Sequence, residues 1–147
     1  MIAILQRVSA SSVTVEGEVV GSIGMGLNIL LGVVNGDGEA EAQKLLQKIL
    51  NLRIFADDGG KMNRSLLDVE GEMLVISQFT LAASVKKGRR PSFDNAAAPQ
   101  EAQRLYEYFC SEASGQCRVA TGRFGANMQV AIENDGPVTI IMDTKEL

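Results

Sequence analysis

Apolar and polar residues alternate over the first twenty positions and then cease to, and that change of period separates sheet from helix along the chain. Ile2, Ile4 and Val8 mark a first strand, and Val13 to Val20 reads as two alternating segments folded about Gly17, so the N-terminal unit is expected to be antiparallel. Leu27 to Val34 is apolar on both faces, broken only by Asn28 and Gly32. That pattern predicts a central buried strand, ended by Asn35-Gly36-Asp37-Gly38. From Glu39 the apolar residues Ala42, Leu45, Leu46, Ile49 and Leu50 recur at spacings of three and four, which predicts a helix with Asp37 as its N-terminal cap. Arg53-Ile54-Phe55 reads as a short strand, Asp57-Asp58-Gly59-Gly60 as a turn, and Met73 to Ile76 as a further strand. A second helix starts near Pro99, carries Ala102, Leu105, Tyr106, Phe109 and Cys110 on its apolar side, and ends at Gly115. Met128 to Glu133 and Val138 to Asp143 complete the pattern as two strands joined by an Asn134-Asp135-Gly136-Pro137 turn. The predicted class is α+β: a sheet-rich body of mixed, mostly antiparallel strands curved towards a barrel, with two main helices. No repeat or linker divides residues 1–147, so a single domain is expected.

Charge refines this picture locally rather than globally. The formal net charge of -4 gives no long-range attraction to nucleic acid, yet Lys86, Lys87, Arg89 and Arg90 fall within five residues and could hold phosphates. The same cluster also reads as an ordinary solvated loop. The chain has no histidine, and Cys110 and Cys117 form no C-x-x-C motif, so neither a metal nor a cofactor is expected. Reduced, buried thiols are the expectation for both. No apolar run is long enough to span a bilayer, and the opening residues lack a basic leader, so a cytoplasmic protein with no membrane partner is expected.

Two short stretches carry the candidate chemistry. Ser77-Gln78-Phe79-Thr80 supplies two hydroxyls and an amide, and Asn134-Asp135-Gly136-Pro137 supplies a backbone acceptor whose direction proline fixes. In an unbroken strand Gln78 and Thr80 would face one side and Ser77 and Phe79 the other, so a bulge is needed to bring all four to one cavity. Thr80 has no histidine to activate it, which argues against a nucleophilic hydroxyl. The bland alternatives are strand hydroxyls bonded to nearby backbone and an ordinary trans turn at Gly136-Pro137. In the loop Gly122 to Met128, Arg123 could hold an anion and Phe124 could stack on a base, or both could fix the loop to the core.

These two stretches, with Gln6-Arg7-Val8 and Arg90-Pro91-Ser92-Phe93, closely resemble the D-aminoacyl-tRNA deacylase family from end to end. The resemblance implies hydrolysis of the ester bond of D-aminoacyl-tRNA; because a steric filter has nothing to exclude in glycine, mischarged glycyl-tRNA is expected to be cleaved too. The resemblance also implies a homodimer in which a cis Gly136-Pro137 enters the partner's pocket. Carried over residue by residue, Gly136 and Pro137 test chirality, and Ser77, Gln78, Phe79 and Thr80 form the pocket wall. Arg7 braces the Gly-Pro segment. With no histidine to act as a base, the backbone N–H groups of Phe79 and Thr80 are expected to hold the ester carbonyl, and the charge of Lys86, Lys87, Arg89 and Arg90 makes them candidate tRNA contacts. Ala82 and Asp135 depart from the family's usual residues. The reading from another class is a non-enzymatic nucleic-acid-binding homodimer that uses Lys86 to Arg90.

Overall fold

The computed structural model describes all 147 residues. The N-terminal pattern becomes one strand, β1 (Ile2–Val15), which turns at Glu16-Gly17 into β2 (Glu18–Ile23) and then β3 (Gly26–Gly32). Both β2 and β3 pair antiparallel with β1, β2 against its second half and β3 against its first. After helix α1 (Glu39–Asn51) come a small hairpin, β4 (Phe55–Ala56) and β5 (Met62–Arg64), and then β6 (Glu72–Ser77). Helix α2 (Pro99–Ser114) leads to β7 (Val119–Thr121) and a last long strand, β8 (Gln129–Asp143). β6 runs parallel to β3 and β7 parallel to β6, while β8 pairs antiparallel with β1. The result is the mixed, barrel-like sheet that the pattern predicts, with strand order β2-β1-β3-β6-β7 and β8 beside β1.

Two apolar clusters form because the strands bury both faces. Leu5, Leu27, Ile29 and Leu31 pack against Leu45, Leu46 and Ile49 of α1 and Phe109 of α2. Val8, Val13, Leu74 and Ile76 meet inside the curl of the sheet. Asn28, fully buried on β3, is satisfied by the Ser11 hydroxyl at 2.9 Å and by Gln6, so the polar interruption of the central strand costs no unpaired group.

Three sequence expectations change. Asp37 does not cap α1: its carboxylate accepts from the Met1 amino group and the Val34 N–H, both at 2.8 Å, while Glu41 reaches back to the Gly38 N–H at 2.7 Å. The short strand near residue 54 is only Phe55–Ala56, because the Ile54 carbonyl is taken by the Arg7 guanidinium at 2.7 Å. The two C-terminal strands are one, since residues on either side of Asn134–Pro137 pair with the same strand in the same direction. The expected turn is instead a bulged segment, where the register against β1 slips between Gln6 and Val8 and between Val8 and Ala10.

Candidate active site

The site begins where β6 stops. Its partner β3 ends at Gly32, and the N–H of Gln78 donates to the Leu31 carbonyl at 2.8 Å. The chain then folds into a 3-10 turn over Phe79–Ala82, held by Leu81 N–H to Gln78 O at 3.2 Å and Ala83 N–H to Thr80 O at 3.1 Å. A Cβ at Gly32 would sit 3.0 Å from both the Gln78 carbonyl oxygen and the Leu81 Cβ, so glycine lets this turn lie close against the sheet. The turn brings Ser77, Gln78 and Phe79 to one cavity, which an unbroken strand would not, and leaves Thr80 outside its lining. The N–H groups of Phe79 and Thr80 stand at the start of the helical turn, where the first donors of a helix lack an intrahelical acceptor.

Beside this turn lies an open cavity of about 440 Å³. Ser77, Gln78 and Phe79 form one wall, the start of α2 at Pro99 and Ala102 another, and Phe124, Ala126 and Met128 a third. None of its twelve lining residues is ionisable, so the cavity has no general acid or base of its own. Thr80 stands at the rim, exposed, its hydroxyl accepting from the Gln78 side-chain amide. The thiols are no substitute. Cys110 and Cys117 are free and only half-buried, and burial pushes the Cys110 thiol up to about 12, far from a reactive thiolate.

Phe79 is 54% exposed and rests on Phe93, with ring centroids 5.0 Å apart. Phe93 follows a hairpin closed by paired backbone bonds of 2.8 Å between Ser84 and Ser92, whose tip carries Lys86, Lys87, Arg89 and Arg90. All four cations are exposed and none pairs with a carboxylate.

Gly136 and Pro137 form a separate, exposed unit on β8 that does not line this cavity. Their peptide bond is cis, as the family resemblance implies and contrary to the trans turn that residue chemistry alone suggests. Arg7 donates from Nε to the Asp135 carbonyl at 3.1 Å and from Nη1 to the Ile54 carbonyl, so the segment is tied to the body of the protein. The structure therefore brings Ser77, Gln78 and Phe79 to one cavity with Thr80 next to them in the turn, and Arg7, Gly136 and Pro137 of the same chain do not line it.

The model of the family D-Tyr-tRNA(Tyr) deacylase matches residues 4–143. The chain belongs to this family. A D-aminoacyl-tRNA deacylase of Persephonella marina is 62% identical over 147 residues, covering 100% of both chains. A solved structure described as "c-Myc DNA Unwinding Element Binding Protein" superposes with a TM-score of 0.92 at 43% identity, covering 97% of this chain and 98% of that one. A probable eukaryotic D-amino acid tRNA deacylase, 20% identical with a TM-score of 0.81 over 96% of this chain and 97% of that one, shares the fold.

The cavity also has walls that sequence reasoning missed. Pro99 and Ala102 were legible only as helix-start and core residues, and Met128 and Val130 only as strand residues. Phe124 packs on the core, its ring 6.0 Å from that of Tyr106, and also lines the cavity.

Proposed function

We propose that the protein, acting as one domain over residues 1–147, hydrolyses the ester of D-aminoacyl-tRNA and releases the free D-amino acid and tRNA. The observation that carries this reading is a cavity without ionisable groups, walled by Ser77, Gln78 and Phe79 where a helical turn begins. Such a site suits an already activated ester. The Phe79 and Thr80 N–H groups hold the carbonyl oxygen as negative charge develops there, an effect worth about 2.7–4 kcal/mol per donor in other enzymes. Water adds to the carbonyl carbon, the bond to the ribose 3′-oxygen breaks, and the neighbouring 2′-hydroxyl relays the proton to that leaving oxygen. The apolar wall of Phe124 and Met128 suits the terminal base.

Chirality requires a second copy. Gly136 and Pro137 are exposed and do not line their own chain's cavity, and further along the same strand Ile141 is 73% exposed. A two-fold homodimer through this strand puts the Gly136 carbonyl of one protomer into the other's pocket. There it excludes an L side chain and admits a D one. Ser77 and Gln78 shape the pocket around the α-carbon. Because glycine has no side chain to exclude, glycyl-tRNA is expected to be cleaved as well; resistance of glycyl-tRNA at high enzyme concentration would contradict steric exclusion.

Incubation with matched D- and L-tyrosyl-tRNA tests the reading. Release from the D ester alone supports it, and equal release from both, or none, refutes it. Thr80→Ala is expected to retain activity within about tenfold, because the backbone N–H rather than the hydroxyl does the work; loss comparable to that of a catalytic nucleophile would point to covalent chemistry at Thr80.

The basic hairpin favours RNA engagement in either reading. Reversing the charges of Lys86, Lys87, Arg89 and Arg90 is expected to weaken tRNA binding and to flatten its salt dependence by about one unit of slope per lost phosphate contact. The hairpin also supports the second reading, a homodimer that binds nucleic acid without hydrolysing it. That reading expects comparable affinity for generic RNA or DNA and no D-tyrosine release.

A further inference from the structure

Helix α2 contributes more than two wall residues to the cavity. Tyr106, on its buried side and only 5% exposed, donates its hydroxyl to the Val75 carbonyl at 2.8 Å. Val75 directly precedes Ile76 and Ser77, both of which line the cavity, and its ladder partner Thr121 is the last residue of β7. Beyond that pair the two strands part: β6 continues into the Gln78 turn, and the other chain becomes the loop Gly122 to Met128 that carries Phe124. The Tyr106 ring lies against Phe124, with centroids 6.0 Å apart and planes tilted by 41°. A single side chain thus touches both walls where they diverge.

We infer that Tyr106 is a positioning residue that sets the spacing of the cavity walls, its hydroxyl fixing β6 and its ring propping the Phe124 loop. The hydroxyl lies at the point where the β6–β7 pairing ends, so it continues the connection one step past the last residue pair. Burial holds the phenol well above its usual range, opposed by the Gly122 backbone N–H that faces the oxygen, so the group stays a neutral donor throughout the working pH range. Without it the Val75 carbonyl, buried beneath the ring, is left without this donor. The inference rests on the reading of the cavity as the substrate site, and it assigns the loop's order, and hence affinity for the terminal nucleoside, to a residue that touches no substrate.

Two variants test it. In Tyr106→Phe the ring stays and the hydroxyl goes; in Tyr106→Leu both go. For Tyr106→Phe we expect KM for D-tyrosyl-tRNA to rise about tenfold with kcat changed less than about twofold and D/L discrimination unchanged, and for Tyr106→Leu a larger rise in KM. Amide hydrogen exchange of Gly122 to Asn127 in the free proteins supplies a readout independent of turnover. Faster exchange there in Tyr106→Phe, with exchange in β3 unaltered, supports the assignment. Wild-type exchange in that loop overturns it, as does a wild-type KM in a folded variant. Absence of turnover in the wild-type protein instead counts against the substrate-site reading, and the exchange result still decides the role of Tyr106.

Discussion

Gly136→Ala is expected to lower kcat/KM for D-tyrosyl-tRNA by at least about a hundredfold while the protein still folds and dimerises. Gly136 has φ of +134°, a backbone region that residues with a Cβ rarely adopt. A Cβ there would also lie 2.9 Å from the Val138 nitrogen and from its Cγ2, and 3.2 Å from Arg7 Nη2. The backbone must therefore shift, and Arg7, fastened to Ile54 and Asp135, resists the shift. The shifted wall would displace the substrate in the partner's pocket, and a misplacement of about 1 Å can cost about a hundredfold in rate. Strain of this kind costs on the order of 1–3 kcal/mol, which a domain with about 5–15 kcal/mol of stability can absorb. Steady-state kinetics and a melting curve on the same preparation separate the two effects. A variant with wild-type kcat/KM would show that the Gly136 backbone does not stand in the substrate pocket.

Removal of the terminal ribose 2′-hydroxyl is expected to have an even larger effect on the chemical step. General acid–base assistance contributes about 10² to 10⁴ in rate, and the cavity lining has no side chain to supply it. The substrate must then supply it, and a 3′-aminoacyl-tRNA ending in 2′-deoxyadenosine should be bound and not turned over. Single-turnover rates on matched ribo and deoxy substrates check this. Hydrolysis of the deoxy substrate at the ribo rate would mean that the protein has a base outside the cavity. The same composition predicts no inflection in the rate between about pH 5 and 8, the window in which a histidine would titrate.

Much of this arrangement was legible in the chain because it rests on local rules. The period-two and period-3.6 patterns located both helices and every strand of the main sheet except the three-residue β7, and proline and glycine marked the ends of α2 at Pro99 and Gly115. What the pattern could not give was long-range pairing. Nothing local distinguishes a turn at Asn134–Pro137 from a bulge in a continuous strand, because the difference lies in β1, more than a hundred residues away. The 3-10 turn at Phe79–Ala82 was hidden for a similar reason: alternation continues through it, and only the end of β3 at Gly32 stops the strand. Asp37 was misread because a short acidic residue before a helix is a sound local cap, and the tertiary approach of Met1 overrode it. The role of Tyr106 was likewise invisible, since an apolar stripe on a helix does not reveal which hydroxyl meets a strand end.

On the proposed reading each site is assembled from two copies, a pocket from one and a Gly136-Pro137 wall from the other. Complementation tests it directly. Gly136→Ala displaces the wall within the partner's pocket, and Ala126→Trp fills the pocket, so each variant alone should be inactive as a homodimer. Mixed after dissociation and reassociation, they should form heterodimers in which one of two sites is intact, restoring about a quarter of wild-type D-tyrosyl-tRNA hydrolysis. A mixture that forms heterodimers and remains inactive would contradict a site shared between subunits.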